Sequence, residues 1–281
     1  MKLGVYSICL PDLTPEQAVH EAKAATYAGI EWRVGVLPDP AATPDFFTNN
    51  RCTLPPTPEA LARAASRCES AGLRIIGLGT YVEAGDLDGV AHGMELARAC
   101  GAPWIRLRAP WRTGERFAGL FDRALGFFSG VERLARRTGV RGLLEIHQRS
   151  IAPSASLAER LVSRLDPDCV GVIYDAGNLV LEGYEDHRMA VELLGPHLTH
   201  VHLKNAAFDR PPGGGVWQPR WTPMNDGVLD VPALLRVLVE AGYDGWVSVE
   251  DFSTDRSPVE ALHFNADFLR QHGDFEPPVT D

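Results

Sequence analysis

The 281-residue chain reads as an α/β protein with the (β/α)8 TIM-barrel fold, a single domain over 1–281 whose last residues, 273–281, form a loose tail. Three observations predict this. Short apolar runs alternate with segments of helical period eight times, and strict βαβα order builds a parallel sheet. One helix after another ends on glycine just before the next apolar run, whereas the connections leaving those runs are uneven and include two long ones. The length also suits a barrel of roughly 250 residues and leaves no room for a second domain.

Residues 3–8 (LGVYSI) open the chain as a strand, and the first helix follows from Thr14 as cap and Pro15 in the first turn. The remaining units are strand 30–34, helix 57–71, strand 74–80, helix 87–100, strand 104–109, helix 116–139, strand 141–147, helix 154–165, strand 170–175, helix 186–195, strand 198–204, helix 230–241, strand 245–251 and helix 258–272. Gly29, Gly72, Gly101, Gly139 and Gly242 each follow a helix as C-cap candidates, where glycine supplies left-handed backbone. The long strand-to-helix connections, about 35–56 and 205–229, are rich in Pro, Gly, Trp and Asn, and variable loops on one face mark the catalytic face of a barrel. An open doubly wound sheet is the alternative, but YSICLPD stands after the first strand in place of a glycine-rich phosphate loop.

Composition narrows the function classes. With 45% hydrophobic and 23% charged residues the chain can bury a large core. A net charge of -10, from 37 acidic and 27 basic residues, sets the surface against nucleic acid and anionic membranes. No run approaches 18 apolar residues and MKLGVYS enters a strand without an apolar leader, so a cytoplasmic protein with no membrane partner is expected. Cys9, Cys52, Cys68, Cys100 and Cys169 lie apart with no CxxC pair, as buried or free thiols do, and only Cys52, in NNRCT, is placed to face a cleft.

The chemistry gathers at the carboxyl ends of the last four strands. Glu145 (LLEIH), Asp175 (VIYDAGN), His202 (VHLKN) and Glu250 (VSVED) are 30, 27 and 48 residues apart, one βα unit per step with the long loop in the last. Residues at those ends reach the barrel mouth, so the four converge. A single Glu or Asp after a strand is usually a cap or an ion-pair member, but four on consecutive strands form a set. Three carboxylates buried together require a cation, and two Glu, one Asp and one His suit Mn²⁺ or Mg²⁺ and also admit Co²⁺ or Zn²⁺. Around them His147 and Lys204 are candidates to touch a substrate or to support the ligands, and His200 lies deeper as a structural residue. Arg106 and Arg108 share a strand face, with Arg108 nearer the mouth, either as partner of a ligand carboxylate or as binder of a substrate carboxylate or phosphate. Arg33 has the same two readings on strand two. Loops 49–53 and 213–221 are candidate covers, with Trp217 or Trp221 against a sugar ring.

The stretches LLEIHQRSIAPSAS, VGVIYDAGN, LTHVHLKN and GVLDVPALLRVLVEAGYDGWVSVED, most of 141–251, resemble the xylose isomerase-like TIM-barrel superfamily. The group most similar is the sugar phosphate isomerases/epimerases, which includes ketose 3-epimerases, inosose dehydratases and isomerases, and 3-dehydroshikimate dehydratases. The first half agrees only in general form, through the opening strand and GIEWR. The resemblance implies that Glu145, Asp175, His202 and Glu250 hold one divalent ion, commonly Mn²⁺, and that Glu145 and Glu250 double as the acid/base pair. It implies a metal-dependent isomerase or epimerase of a sugar or cyclitol ketone working through an enediolate, with a small sugar or polyol as partner, and it is compatible with a homo-oligomer.

One departure matters. Where the epimerases often carry a histidine three residues after the strand-six Asp, this chain has Asn178, which can hydrogen-bond a substrate hydroxyl but cannot shuttle a proton near neutral pH. A lyase on the same site therefore stays open, acting on an inosose, a dehydroshikimate or a 3-keto glycoside. Two readings of other kinds are an endonuclease IV-like repair enzyme, disfavoured by net acidity and the shortage of further ligands, and a polyol-binding barrel without turnover.

Overall fold

The computed structural model describes residues 1–277. Its frame is eight parallel strands: β1 (Lys2–Tyr6), β2 (Gly29–Val34), β3 (Arg74–Gly79), β4 (Trp104–Arg108), β5 (Arg141–Glu145), β6 (Val170–Asp175), β7 (Leu198–Leu203) and β8 (Trp246–Val249). They pair in chain order, and β1 pairs with both β2 and β8, which closes the barrel. A helix follows each strand: α1 (Pro15–Ala24), α2 (Pro58–Ser70), α3 (Leu87–Cys100), α4 (Phe117–Thr138), α5 (Ala155–Val162), α6 (His187–Leu194), α7 (Val231–Glu240) and α8 (Pro258–His272). Every one of these helices except α4 starts on a Ser, Thr or Asp whose side chain accepts a hydrogen bond from the first turn. Each such cap contributes about 1 kcal/mol.

Gly72, Gly101, Gly139 and Gly242 close their helices with φ of 71–73°. Gly29 does not. Thr26 takes the positive φ, 62°, at the end of α1, and Gly29 lies inside β2, where a Cβ would stand 2.7 Å from the Arg74 carbonyl oxygen. There the demand is for space rather than for backbone freedom.

Among the short elements that were not foreseen, three lie on the carboxyl-end side. Thr53–Leu54 adds a strand beside β2. Ala176–Leu181 makes a short helix straight after β6. The loop after β7 folds into an antiparallel hairpin of Asn205–Asp209 with Gln218–Thr222. Pairing of Thr53 with β2 draws Cys52 inward, so that Cys52 is fully buried and faces no cleft; all five cysteines are buried and free. Of the expected loose tail, 273–277 is tied to the start of the chain, the Met1 ammonium donating to the Asp274 carbonyl and the Glu276 amide to that of Met1. Residues 278–281 lie outside the described residues. No helix among the described residues is long and apolar enough to cross a membrane.

Inside the barrel, Ile76, Trp104, Leu143 and Ile173 form a plug against Trp246. Two residues further along the same strands, on the same inward face, the side chains are polar: Arg106 follows Trp104, Glu145 follows Leu143, and Asp175 follows Ile173. The Trp104 indole fits because Gly77 faces it; a Cβ at Gly77 would lie 2.3 Å from the ring. Gly77→Ala is therefore expected to destabilise the protein by about 1–3 kcal/mol through overpacking. Gly101→Ala, at a surface cap with φ of 72° and open space around it, should cost about 1 kcal/mol. Urea unfolding of both variants checks the order, and a Gly77→Ala midpoint at or above that of Gly101→Ala would refute the packing account.

Candidate metal centre

The structure brings Glu145, Asp175, His202 and Glu250 together, with ligand atoms from each within 4.8 Å of one another and all four residues buried. Strand neighbours do this. The β5–β6 and β6–β7 registers set Glu145 beside Ile173 and Asp175 beside His202, and Glu250 extends β8 by donating its amide to the Leu203 carbonyl at 2.8 Å.

His202 stands at the centre. One ring nitrogen, Nε2, lies 2.8 Å from Glu31 Oε2. The carboxylate can only accept, so Nε2 carries the proton of that bond. The other nitrogen, Nδ1, lies 3.6 Å from Glu145 Oε1 and 3.7 Å from both Asp175 Oδ2 and Glu250 Oε2, and has no hydrogen-bond partner. Those distances are too long for hydrogen bonds. Burial works against a charged ring, but Glu31 and Glu250 hold its pKa well above the ordinary value. A positive charge is thus stabilised at Nδ1, and the chemistry of the donor set fits a metal ion there as well as a proton.

Two fixed cations share the layer. Arg106, itself buried, sits 3.4 Å from Glu145 and donates twice to the Thr80 carbonyl. Lys204 contacts both Asp175 Oδ2 and Glu250 Oε2. Burial opposes ionisation of Glu145, yet the Arg106 guanidinium holds it well below the usual carboxylate range. For Asp175 burial is likewise overcome, by Lys204, and its pKa is lowered. Glu250 differs: burial pushes it up to about 7 despite Lys204 and His202. Glu31, against burial, is held at about 2 by His202 and His200. Arg106 and Lys204 do not match the four carboxylates, and a proton on Glu250, a charged His202 or a bound cation offsets the remainder. Glu31, His200 and His202 form a second, deeper cluster of possible ligands, but the Glu31 oxygen in it already accepts from His202 Nε2.

The model described as xylose isomerase-like TIM barrel matches residues 19–272. The chain belongs to this family. An inosose dehydratase of Lacticaseibacillus casei is 28% identical over 148 residues, 48% of each chain; the chain thus matches about half the length of this curated relative. Among solved structures, the IolI protein with a bound zinc atom aligns over 98% of this chain and 100% of its own, at TM-score 0.74 and 18% identity. The 3-keto-D-glucoside 4-epimerase YcjR of E. coli aligns over 96% and 99%, at TM-score 0.71 and 19% identity. These structural likenesses concern the fold.

Over the family's mouth face opens a cavity of about 530 Å³. Of the four clustered residues only Glu145 and Glu250 line it, together with His147, Asn178, Lys204 and Arg108. His147 Nδ1 is 2.7 Å from the Gln148 carbonyl, which can only accept, so Nε2 is left as the free acceptor. Asn178 is placed differently from expectation. Its amide nitrogen donates to Asp175 Oδ2 at 2.7 Å and to the Ile146 carbonyl at 3.1 Å, and its backbone N–H donates to Asp175 Oδ1 at 2.9 Å. It therefore orients Asp175, and only its side-chain oxygen remains for a substrate. Trp217 is 57% exposed and does not line the cavity. The paired part of the hairpin instead carries Trp221 there, edge-to-face on Phe252. Arg33 binds Thr53, the Phe47 carbonyl and Tyr81, so it braces the loop over β2.

Sequence reasoning missed Glu31. Its available sign was the alternation in GIEWR, which puts two charged residues, Glu31 and Arg33, on one face of a buried strand. Replacing Lys204 by methionine removes the cation shared by Asp175 and Glu250. In EDTA at pH 7 the Lys204→Met variant is expected to lose about 3 kcal/mol or more, the cost of breaking a buried pair; thermal unfolding equal to that of the parent would contradict the ion pairing.

Proposed function

We propose that the protein binds one divalent metal ion through Glu145, Asp175, His202 and Glu250, and isomerises or epimerises a sugar or cyclitol ketone by moving the proton on the carbon beside the carbonyl. The observation that carries this reading is that Glu145 and Glu250 alone among the four reach the cavity, from non-adjacent strands. Two carboxylates can then face one substrate carbon from different walls, one removing a proton and the other delivering one. With no ion bound their surroundings differ, Arg106 lowering the pKa of Glu145 against burial and burial raising that of Glu250.

When bound, the metal polarises a carbonyl and neutralises the carboxylate layer. Mn²⁺ suits the oxygen-rich set, and Mg²⁺, Co²⁺ or Zn²⁺ would also be accepted. Glu31 holds the Nε2 proton of His202 and so turns the Nδ1 lone pair to the ion. Lys204 and His147 Nε2 border the cavity within reach of substrate oxygens, and Trp221 and Phe252 exclude water from one side.

Dehydration is the second reading, favoured by the inosose dehydratase relative. There Glu145 takes the proton, and Lys204 or Glu250 protonates the departing hydroxyl. Incubation with candidate ketoses and inososes in D₂O, followed by mass spectrometry, decides between the readings. Deuterium gain with the formula otherwise kept supports isomerisation, loss of water supports the lyase, and neither exchange nor water loss with any of them refutes both. Glu145→Gln and Glu250→Gln are each expected to lower turnover by about 10²–10⁴-fold, and unchanged metal content in both variants would remove them from the ligand set. Glu31→Gln should weaken metal binding about 10–100-fold without touching the ion, as read by equilibrium dialysis.

A further inference from the structure

Five cationic side chains other than histidine line the cavity, and three of them are neutralised. Arg106 faces Glu145, Lys204 faces Asp175 and Glu250, and Arg220 faces Asp209 at 2.7 Å. Arg108 and Arg149 have no anionic partner among the described residues.

Arg108 ends β4, one inward step above Arg106. Its guanidinium lies over the rings of Tyr81 and Trp111, 4.9 and 5.2 Å from their centroids, and its Nε is buried with no acceptor. Burial and the neighbouring Arg106 lower its pKa, partly offset by the charge of Glu145, with which it makes no ion pair. A buried donor without an acceptor is costly unless a ligand supplies one. The rings fix the plane of the guanidinium, which preserves the fork that binds carboxylate or phosphate through two parallel bonds.

Arg149 stands on the rim in the loop after β5, with φ of 66°, a conformation non-glycine residues seldom adopt. Its neighbours impose it. The Arg149 N–H donates to Glu182 Oε2 at 3.0 Å, and its carbonyl accepts from Arg112 N at 3.0 Å and Arg112 Nε at 3.3 Å. Arg112 and Glu182 neutralise each other at 2.7 Å, so the pair clamps the Arg149 backbone, and Arg149, an exposed residue, lines the cavity with no ion pair on its side chain among the described residues. Trp111 joins the two arginines into one wall: it stacks on Arg108, bridges to Ser150 and meets His147 edge-on at 5.0 Å.

We infer that Arg108 and Arg149 form a subsite for an anionic group of the substrate, a carboxylate or a phosphate, so that the polyol ketone acted on is an acid or a phosphate ester. The inference rests on the proposed function only in making the anion part of the substrate. An acidic chain of net charge -10 gains no general attraction for anions, and two arginines without an ion pair among the described residues provide a local one.

The test is calorimetric titration of the purified full chain with D-sorbitol, D-gluconate and D-sorbitol 6-phosphate, with metal content measured in the same sample. At least one anion is expected to bind about tenfold more tightly than sorbitol or better. Arg108→Gln should bring it to the affinity of sorbitol, and Arg149→Gln, at an exposed position, should weaken it a few-fold. Preference for gluconate assigns a carboxylate, and preference for the phosphate ester assigns a phosphate. Anions no tighter than sorbitol, or a preference unchanged by Arg149→Gln, would overturn the subsite. A metal-loaded sample indifferent to charge refutes the subsite and keeps the metal site, whereas a sample that takes up no metal yet prefers anions does the reverse.

Discussion

Four carboxylates in one buried layer are the constraint to which the rest of the molecule answers. Glu31, Glu145, Asp175 and Glu250 are each at most 3% exposed, and an unpaired charge at such a depth costs several kcal/mol, a large part of the net stability of a domain. Each has its counter-charge: Arg106 at Glu145, Lys204 between Asp175 and Glu250, and His202 at Glu31. His202 Nδ1 lies 3.6–3.7 Å from three carboxylate oxygens and has no hydrogen-bond partner of its own, while Lys204 already donates to two of those oxygens, on Asp175 and Glu250, and Arg106 to the third, on Glu145. A positive charge on His202, or a cation bound beside it, suits the carboxylates around that point.

The barrel meets the requirement by stratification. The plug of Ile76, Trp104, Leu143 and Ile173 excludes water from below, and the polar residues two positions later on the same strands inherit their placement from it. His200 marks the boundary, 4.9 Å from the Trp104 ring on one side and 3.2 Å from Glu31 on the other. The plug holds the strand ends rigid, so that carboxylates on different strands keep their separations when the charge among them changes.

The frame and the four-residue cluster were legible in the sequence because both depend on periodicities of the chain itself. Alternation along the strands put Glu145, Asp175, His202 and Glu250 on inward faces, and one βα unit per step put them on neighbours. What escaped depends on contacts between distant segments. Glu31 becomes the partner of His202 only when β2 closes the barrel across 171 residues of chain. Gly29 reads as a helix cap but answers a crowding by Arg74 that local pattern does not contain. Trp217 and Trp221 are equivalent as sequence, and the hairpin register, with Trp221 opposite Ala206, sends the second of them to the cavity. That Asn178 also orients Asp175, while still lining the cavity, depends on the short helix after β6, which folds its amide nitrogen back onto that carboxylate.

The difference between Glu145 and Glu250 follows from the same geometry. β5 is flanked by β4, whose Arg106 reaches Glu145 as a counter-charge that no other carboxylate shares by contact. β8 is flanked by β7 and β1, and the cation that β7 supplies, Lys204, is divided between Glu250 and Asp175. A carboxylate with its own guanidinium is held ionised, whereas Glu250 shares its lysine and also faces the charges of Asp175 and Glu145, which add to burial in raising its pKa. Two glutamates at corresponding strand ends thus acquire unlike proton affinities from their neighbours.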